Sequence, residues 1–102
     1  MADLNINLTP SIHAEIAEGN FSMLSNSSVT LDPITKSYSE TSPLIYYKLQ
    51  VVFSKGITNP VILQNGKNSR FSCTGSGYVQ IELYIENEEG LSDTDLIIIT
   101  VN

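Results

Sequence analysis

The sequence predicts an all-β fold, a two-layer sandwich of about seven short strands. Three observations carry that expectation. The 102 residues make about one domain, and apolar and polar residues alternate in run after run without a helical period. Asn, Ser, Thr and Ile are abundant while Lys, Arg and Ala are scarce, a mixture that suits strands and polar turns better than helices. Gly, Pro, Asn and Asp punctuate the runs at short intervals, the pattern of a sandwich or barrel.

Residues 3–8 place Leu4, Ile6 and Leu8 on one side. Pro10 interrupts any ladder, and Ile12, Ala14 and Ile16 resume the alternation. Residues 1–10 therefore read as an N-terminal arm or the first half of a first strand, and residues 11–102 as the domain. Gly19-Asn20 marks a turn. Val29 and Leu31 make a short strand that Asp32-Pro33 stops, and a polar loop covers residues 35–43.

Residues 44–54 form the first long strand, with Ile45, Tyr47, Leu49, Val51 and Phe53 on one face and Tyr46, Lys48 and Gln50 on the other. Val61-Ile62-Leu63 follows as a separate run. Asn65-Gly66 is a strong turn signal, and residues 70–74 are the next strand. Gly75-Ser76-Gly77 connects it to residues 78–87, where Val79, Ile81, Leu83 and Ile85 point one way and Gln80, Glu82, Tyr84 and Glu86 the other. Asn87-Glu88-Glu89-Gly90 turns the chain into a last strand from about Thr94 to Val101, whose Leu96-Ile97-Ile98-Ile99 run is apolar on both faces.

The composition excludes several function classes. A net charge of −6 with five basic residues offers no footprint for phosphate backbones, so nucleic acid is not expected as a partner. The same sign disfavours anionic lipid, and no stretch reaches the length of a membrane-spanning helix. The single cysteine, Cys73, allows no intrachain disulfide and reads as a small buried hydrophobe. His13 stands alone beside Ile12 and Ala14 with no nucleophile motif, so no catalytic residue is assigned.

No cofactor or metal is assigned either. Glu88, Glu89, Asp93 and Asp95 flank the last hairpin, and Asp93-Thr94-Asp95 is similar to the acidic pairs of cadherin-like modules. Their spacing is not that of a calcium loop, and they read as a solvated acidic turn. Gly75-Ser76-Gly77 precedes a strand, not a helix, and lacks phosphate-cradling geometry. Asn7-Leu8-Thr9, Asn20-Phe21-Ser22 and Asn26-Ser27-Ser28 are formal glycosylation sequons, of a kind chance produces in such a composition.

The second half carries a longer pattern: Gly77, then Val79, Ile81, Leu83, Ile85, Asn87 and Gly90, with a close on Ile97, Ile99 and Val101. It resembles the last two strands of PKD-type immunoglobulin-like domains, which end on Gly-x-Tyr-x-Val-x-Leu-x-Val-x-Asp/Asn-x-x-Gly and a Thr/Val-rich strand. Val29-Thr30-Leu31-Asp32 is similar to the family's second strand and Tyr47-Lys48-Leu49 to its third. Val79 takes the motif's Tyr position, with Tyr78 beside it, and Leu49 stands where the family usually has Trp. The resemblance implies an immunoglobulin-like, PKD-like two-sheet sandwich and an exterior interaction module without catalysis of its own.

The expected role is structural or binding. Met1-Ala2-Asp3-Leu4-Asn5 does not read as a signal peptide, which suits a component assembled inside a cell and released without secretion. The first expectation is accordingly an accessory protein of a bacteriophage virion, on its exterior: capsid decoration, head fibre or tail component. The alternative is an adhesion domain cut from a larger protein of the bacterial cell surface. Partners would be other structural proteins or a cell-surface ligand, with a homo-oligomer as a further option. Candidate contacts are Leu4, Ile6 and Leu8 on the arm and Tyr46, Tyr84, Leu96 and Ile98 on outward faces, Tyr being enriched at interfaces.

Overall fold

The structure is a computed structural model, and it describes residues 12–102. The expectations placed on Leu4, Ile6 and Leu8, and the arm boundary at residue 10, lie outside those residues. Among the described residues, seven strands follow one another: β1 (Ile12–His13), β2 (Phe21–Met23), β3 (Ser28–Leu31), β4 (Tyr38–Ser39), β5 (Leu44–Leu63), β6 (Ser69–Asn87) and β7 (Ser92–Val101). β1 and β4 form an antiparallel ribbon. The remaining five share one continuous ladder. β6 pairs β5 along one edge, while its other edge pairs β7 through Gly77–Glu86 and β3 through Ser69–Ser72. β2 lies parallel to the end of β7.

A continuous ladder becomes a sandwich because the long β5–β6 hairpin folds on itself. The Gly66 N–H donates to the Tyr47 hydroxyl at 2.6 Å, and the Leu49 N–H donates to Gln64 Oε1. Along a straight strand, Tyr47 and Gly66 would stand roughly 60 Å apart. The Asn65-Gly66 tip therefore returns over the first half of its own strand. Residues 44–55 of β5 lie with residues 77–87 of β6 and with β7 and β2 in one layer. Residues 57–63 lie with residues 69–74 of β6 and with β3 in the other. Strands that change layers at bends and bulges are the usual corners of packed sheets.

The corner sits where Gly56 crosses Ser76 and Gly77. A Cβ on Gly56 would stand 2.1 Å from the Ser76 carbonyl oxygen, and one on Gly77 would stand 1.9 Å from that of Lys55. Both residues also have positive φ, +76° and +153°, where a side chain is strained. Only glycine lets two paired backbones turn together this closely.

This corrects the sequence reading in two places. The runs at 44–54 and 61–63 are one strand, and Gly75-Ser76-Gly77 lies inside β6 rather than between strands. Two short elements also emerge that periodicity did not mark: β2, after the Gly19-Asn20 turn, and β4, inside the polar loop.

The core fills the gap between the layers. Val79, Ile81, Leu83 and Ile85 of β6 are fully buried, together with Phe71 and Leu31. Ile97, Ile99 and Val101 of β7, Leu49, Cys73 and Met23 join them, and Ile12, Ala14 and Ile16 close the top. Leu83 stands opposite Leu49 in the ladder and Ile81 opposite Val51. The inward face predicted for residues 79–85 is the observed one.

Candidate interaction surface

The outer face of the larger layer is built by the same alternation that builds the core. Across β6, Glu86 stands opposite Tyr46, Tyr84 opposite Lys48, Glu82 opposite Gln50 and Gln80 opposite Phe53. On its other side Tyr84 meets Thr94, Glu82 meets Leu96 and Gln80 meets Ile98. The four outward residues singled out from the sequence thus share one face. Tyr46 is 49% exposed, Leu96 50% and Ile98 38%, while Tyr84 is half-buried.

The arrangement is an apolar rim around a polar centre. Gln50 Nε2 donates to Glu82 Oε1 at 3.1 Å in the middle. The Tyr46 and Tyr84 rings meet edge to face at one end, with centroids 6.0 Å apart. Phe53 and Tyr78 pair at the other end at 5.8 Å, and Leu96 and Ile98 flank the centre on β7. Large aromatics around groups that hydrogen-bond are typical of protein-binding surfaces.

Strict alternation assigns Phe53 to the core face, and the structure places it on the outer one. Val51 opposes Ile81 and Phe53 opposes Gln80, so Val52 is the extra residue of a β-bulge. One extra residue reverses every side chain beyond it. A second bulge between Leu44 and Tyr46 turns Ile45 outward, where it is 60% exposed. A signal for the first was present: Val51-Val52-Phe53 is apolar three times running, which strict alternation cannot seat on one face.

The acidic pair near the last hairpin does something the sequence reading did not foresee. Asp93 and Asp95 lie on the inward face of β7, whose following inward positions are the core residues Ile97, Ile99 and Val101. Their Oδ2 atoms accept the backbone N–H groups of Ala14 and Ile16, each at 2.8 Å. They anchor the first segment of the sandwich to its last strand, in place of a backbone ladder. Glu89 accepts from the hydroxyls of Thr41 and Ser42. Among the described residues, no three His, Cys, Asp or Glu side chains gather as a metal site would need.

The remaining candidates also have local roles. His13 Nε2 lies 3.1 Å from Glu15 Oε1, and its ring stacks on Tyr38. Cys73 is buried at the floor of a shallow groove walled by Asn26, Ser28, Asn59, Ser72 and Thr74. Burial pushes its thiol pKa up, which keeps the sulfur protonated and a poor nucleophile. Asn20 Oδ1 accepts the Ile98 N–H at 2.8 Å, extending the β2 edge. Among the described residues, no helix is long and apolar enough to cross a membrane.

No protein-family model matches the chain, and no curated protein does. Among solved structures it is similar to the solution structure of the PKD domain from KIAA 1837 protein. The TM-score is 0.66 at 17% identity, over 96% of this chain and 91% of that one. At that identity the likeness speaks for architecture alone: the chain has an all-β, immunoglobulin-like sandwich fold of PKD type.

Proposed function

We propose that the chain is a non-enzymatic structural or binding module, and within that class an accessory protein on the exterior of a bacteriophage virion. The observation that carries the coarser reading is the outer sheet face, where Tyr46, Phe53, Leu96 and Ile98 stay exposed around the Gln50–Glu82 pair. A face of this kind on a rigid two-layer sandwich suits docking to another protein. The virion reading is supported by the acidic charge, which disfavours nucleic acid and lipid as partners, and by the alternating arm of residues 2–9, which suits attachment to a neighbour in an assembly.

Mass spectrometry of purified phage particles from the source tests the finer reading: the chain should be present in a fixed stoichiometry. A Leu96→Asp, Ile98→Asp double variant should keep the melting temperature of the domain and be absent from the particles. Recovery in bacterial envelope fractions with none on particles would favour the alternative, an adhesion domain of a cell-surface protein. Incorporation of the double variant at the normal level would show that the sheet face does not mediate attachment.

A further inference from the structure

Asn65-Gly66 is the one Asn-Gly pair of the sequence, and it forms the tip that returns over β5. Such a pair is a reactive group as well as a turn. The backbone nitrogen after an asparagine can attack the side-chain carboxamide carbon, and a following glycine has no Cβ to obstruct the approach. Here the pair is held in a way that opposes the reaction. The Gly66 N–H, whose nitrogen is the nucleophile, donates to the Tyr47 hydroxyl at 2.6 Å. The Asn65 N–H donates to Ser69 Oγ at 2.9 Å, and the Ser69 hydroxyl donates to the Gly66 carbonyl at 2.8 Å. The Asn68 N–H donates to the Asn65 carbonyl at 3.0 Å. Ser69 is fully buried, so the turn is anchored to the core. Asn65 itself is exposed, which leaves its side chain to solvent.

We propose that Asn65-Gly66 is a deamidation site gated by the Tyr47 hydroxyl, so that reaction there makes the lifting of the tip from β5 irreversible. With the tip docked, removing the Gly66 proton also breaks its hydrogen bond to Tyr47, and the bonds around the turn keep the nitrogen from swinging onto the carboxamide. Lifting the tip removes both obstacles. The proton passes to hydroxide, the Gly66 nitrogen bonds to Asn65 Cγ, and the Cγ–Nδ2 bond breaks as ammonia leaves. The product is a succinimide ring. Water opens it at either carbonyl and leaves a carboxylate where a neutral amide stood, with no oxidation or reduction. Opening at the former main-chain carbonyl reroutes the backbone through the side chain. The chain then gains a methylene between the N–H that met Ser69 and the N–H that met Tyr47, and it loses the peptide carbonyl that Asn68 used. The altered turn cannot restore these contacts together. A lifted tip also withdraws Gln64 Oε1 from the Leu49 N–H, which leaves an unpaired donor on the β5 edge where another strand can add.

The test is incubation of the full chain at mildly alkaline pH. Peptide mass spectrometry follows the amide-to-acid exchange at residue 65, and hydrogen exchange follows Gly66 and Leu49. The folded chain should deamidate at least about tenfold more slowly than the chain in urea, a barrier difference of about 1.4 kcal/mol. Tyr47→Phe keeps the ring and removes the acceptor, and it should react about fivefold faster than the natural chain, the equivalent of about 1 kcal/mol for one hydrogen bond. Gln64→Ala loosens the tip at its other contact and should also react faster, which keeps the gate testable if Tyr47→Phe lowers the melting temperature. Once deamidated, the natural chain should exchange rapidly at Gly66 and Leu49 while Ile81 and Leu83 stay protected. Asn65→Gln, incubated alongside, should keep Gly66 and Leu49 protected. Equal rates for the natural chain and both faster-reacting candidates overturn the gate. Protection of Gly66 and Leu49 that survives complete deamidation overturns the irreversible release.

Discussion

Asn87 is polar and fully buried, a placement that is costly unless its hydrogen-bonding groups are matched. Here they are. Its Oδ1 accepts the N–H groups of Glu89 and Leu91, each at 3.0 Å, and its Nδ2 donates to Ser39. The residue thus ties the β6–β7 turn to the β1–β4 ribbon. Asn87→Ala should cost about 1–3 kcal/mol in urea unfolding, because two turn N–H groups lose their acceptor. Asp32 is the matching acceptor where β3 ends. Burial raises its carboxyl pKa, but hydrogen bonds from the Thr35 hydroxyl and the Thr35 and Ile34 N–H groups outweigh it, with help from Lys67, and hold the pKa below its ordinary value. A carboxyl with a lower pKa folded than unfolded stabilises the fold above the unfolded value and loses that contribution as pH falls. Melting temperatures taken downward from about pH 5 should fall more steeply for the natural chain than for Asp32→Ala, and the difference should vanish in strong acid. Equal slopes would show that Asp32 contributes no pH dependence.

At the scale of elements, the decisive feature is the shared corner of β5 and β6. The sequence shows its glycines, but the Gly75-Ser76-Gly77 pattern fits an ordinary turn equally well, and nothing local says that Gly56 lies across from it. The contact between them joins residues some twenty apart and exists only once the hairpin has paired. Gly77→Ala would drive a methyl group onto the Lys55 carbonyl oxygen, so it should cost at least about 1–3 kcal/mol or prevent folding. Ser76→Ala, next to it and exposed, should change stability by less than about 0.5 kcal/mol. Guanidinium denaturation of the two variants checks the contrast, and equal stabilities would mean the corner relaxes freely. The bulges of β5 are a second effect at this scale. They move Phe53 and Ile45 outward and so enlarge the exposed face beyond what strict alternation assigns.

For the whole molecule, stability rests on one core, and a fully buried position in it is a direct probe. Leu83→Ala should cost about 2–5 kcal/mol in equilibrium unfolding, as a cavity in a fully buried site does. The top of that core depends on a strap: Ile12, Ala14 and Ile16 are buried there, while the ladder of β1 is only two residues long. Replacing Asp93 and Asp95 together by Ala should expose residues 12–16 to amide exchange well before the remainder unfolds, and unchanged protection would deny the carboxylates that role. The sequence by itself determined the all-strand class, the inward set Val79, Ile81, Leu83 and Ile85 and the outward placement of Tyr46, Leu96 and Ile98, because period-two alternation is a local property read residue by residue. Only the tertiary structure decided that two predicted pairs of runs are two folded strands, that Phe53 faces out, and that Asp93 and Asp95 hold backbone rather than sit free in a turn. Each of these depends on which backbone lies opposite, through a bulge, a glycine crossing or a side chain reaching across 79 positions of sequence, and opposition between distant segments is set by packing the whole chain.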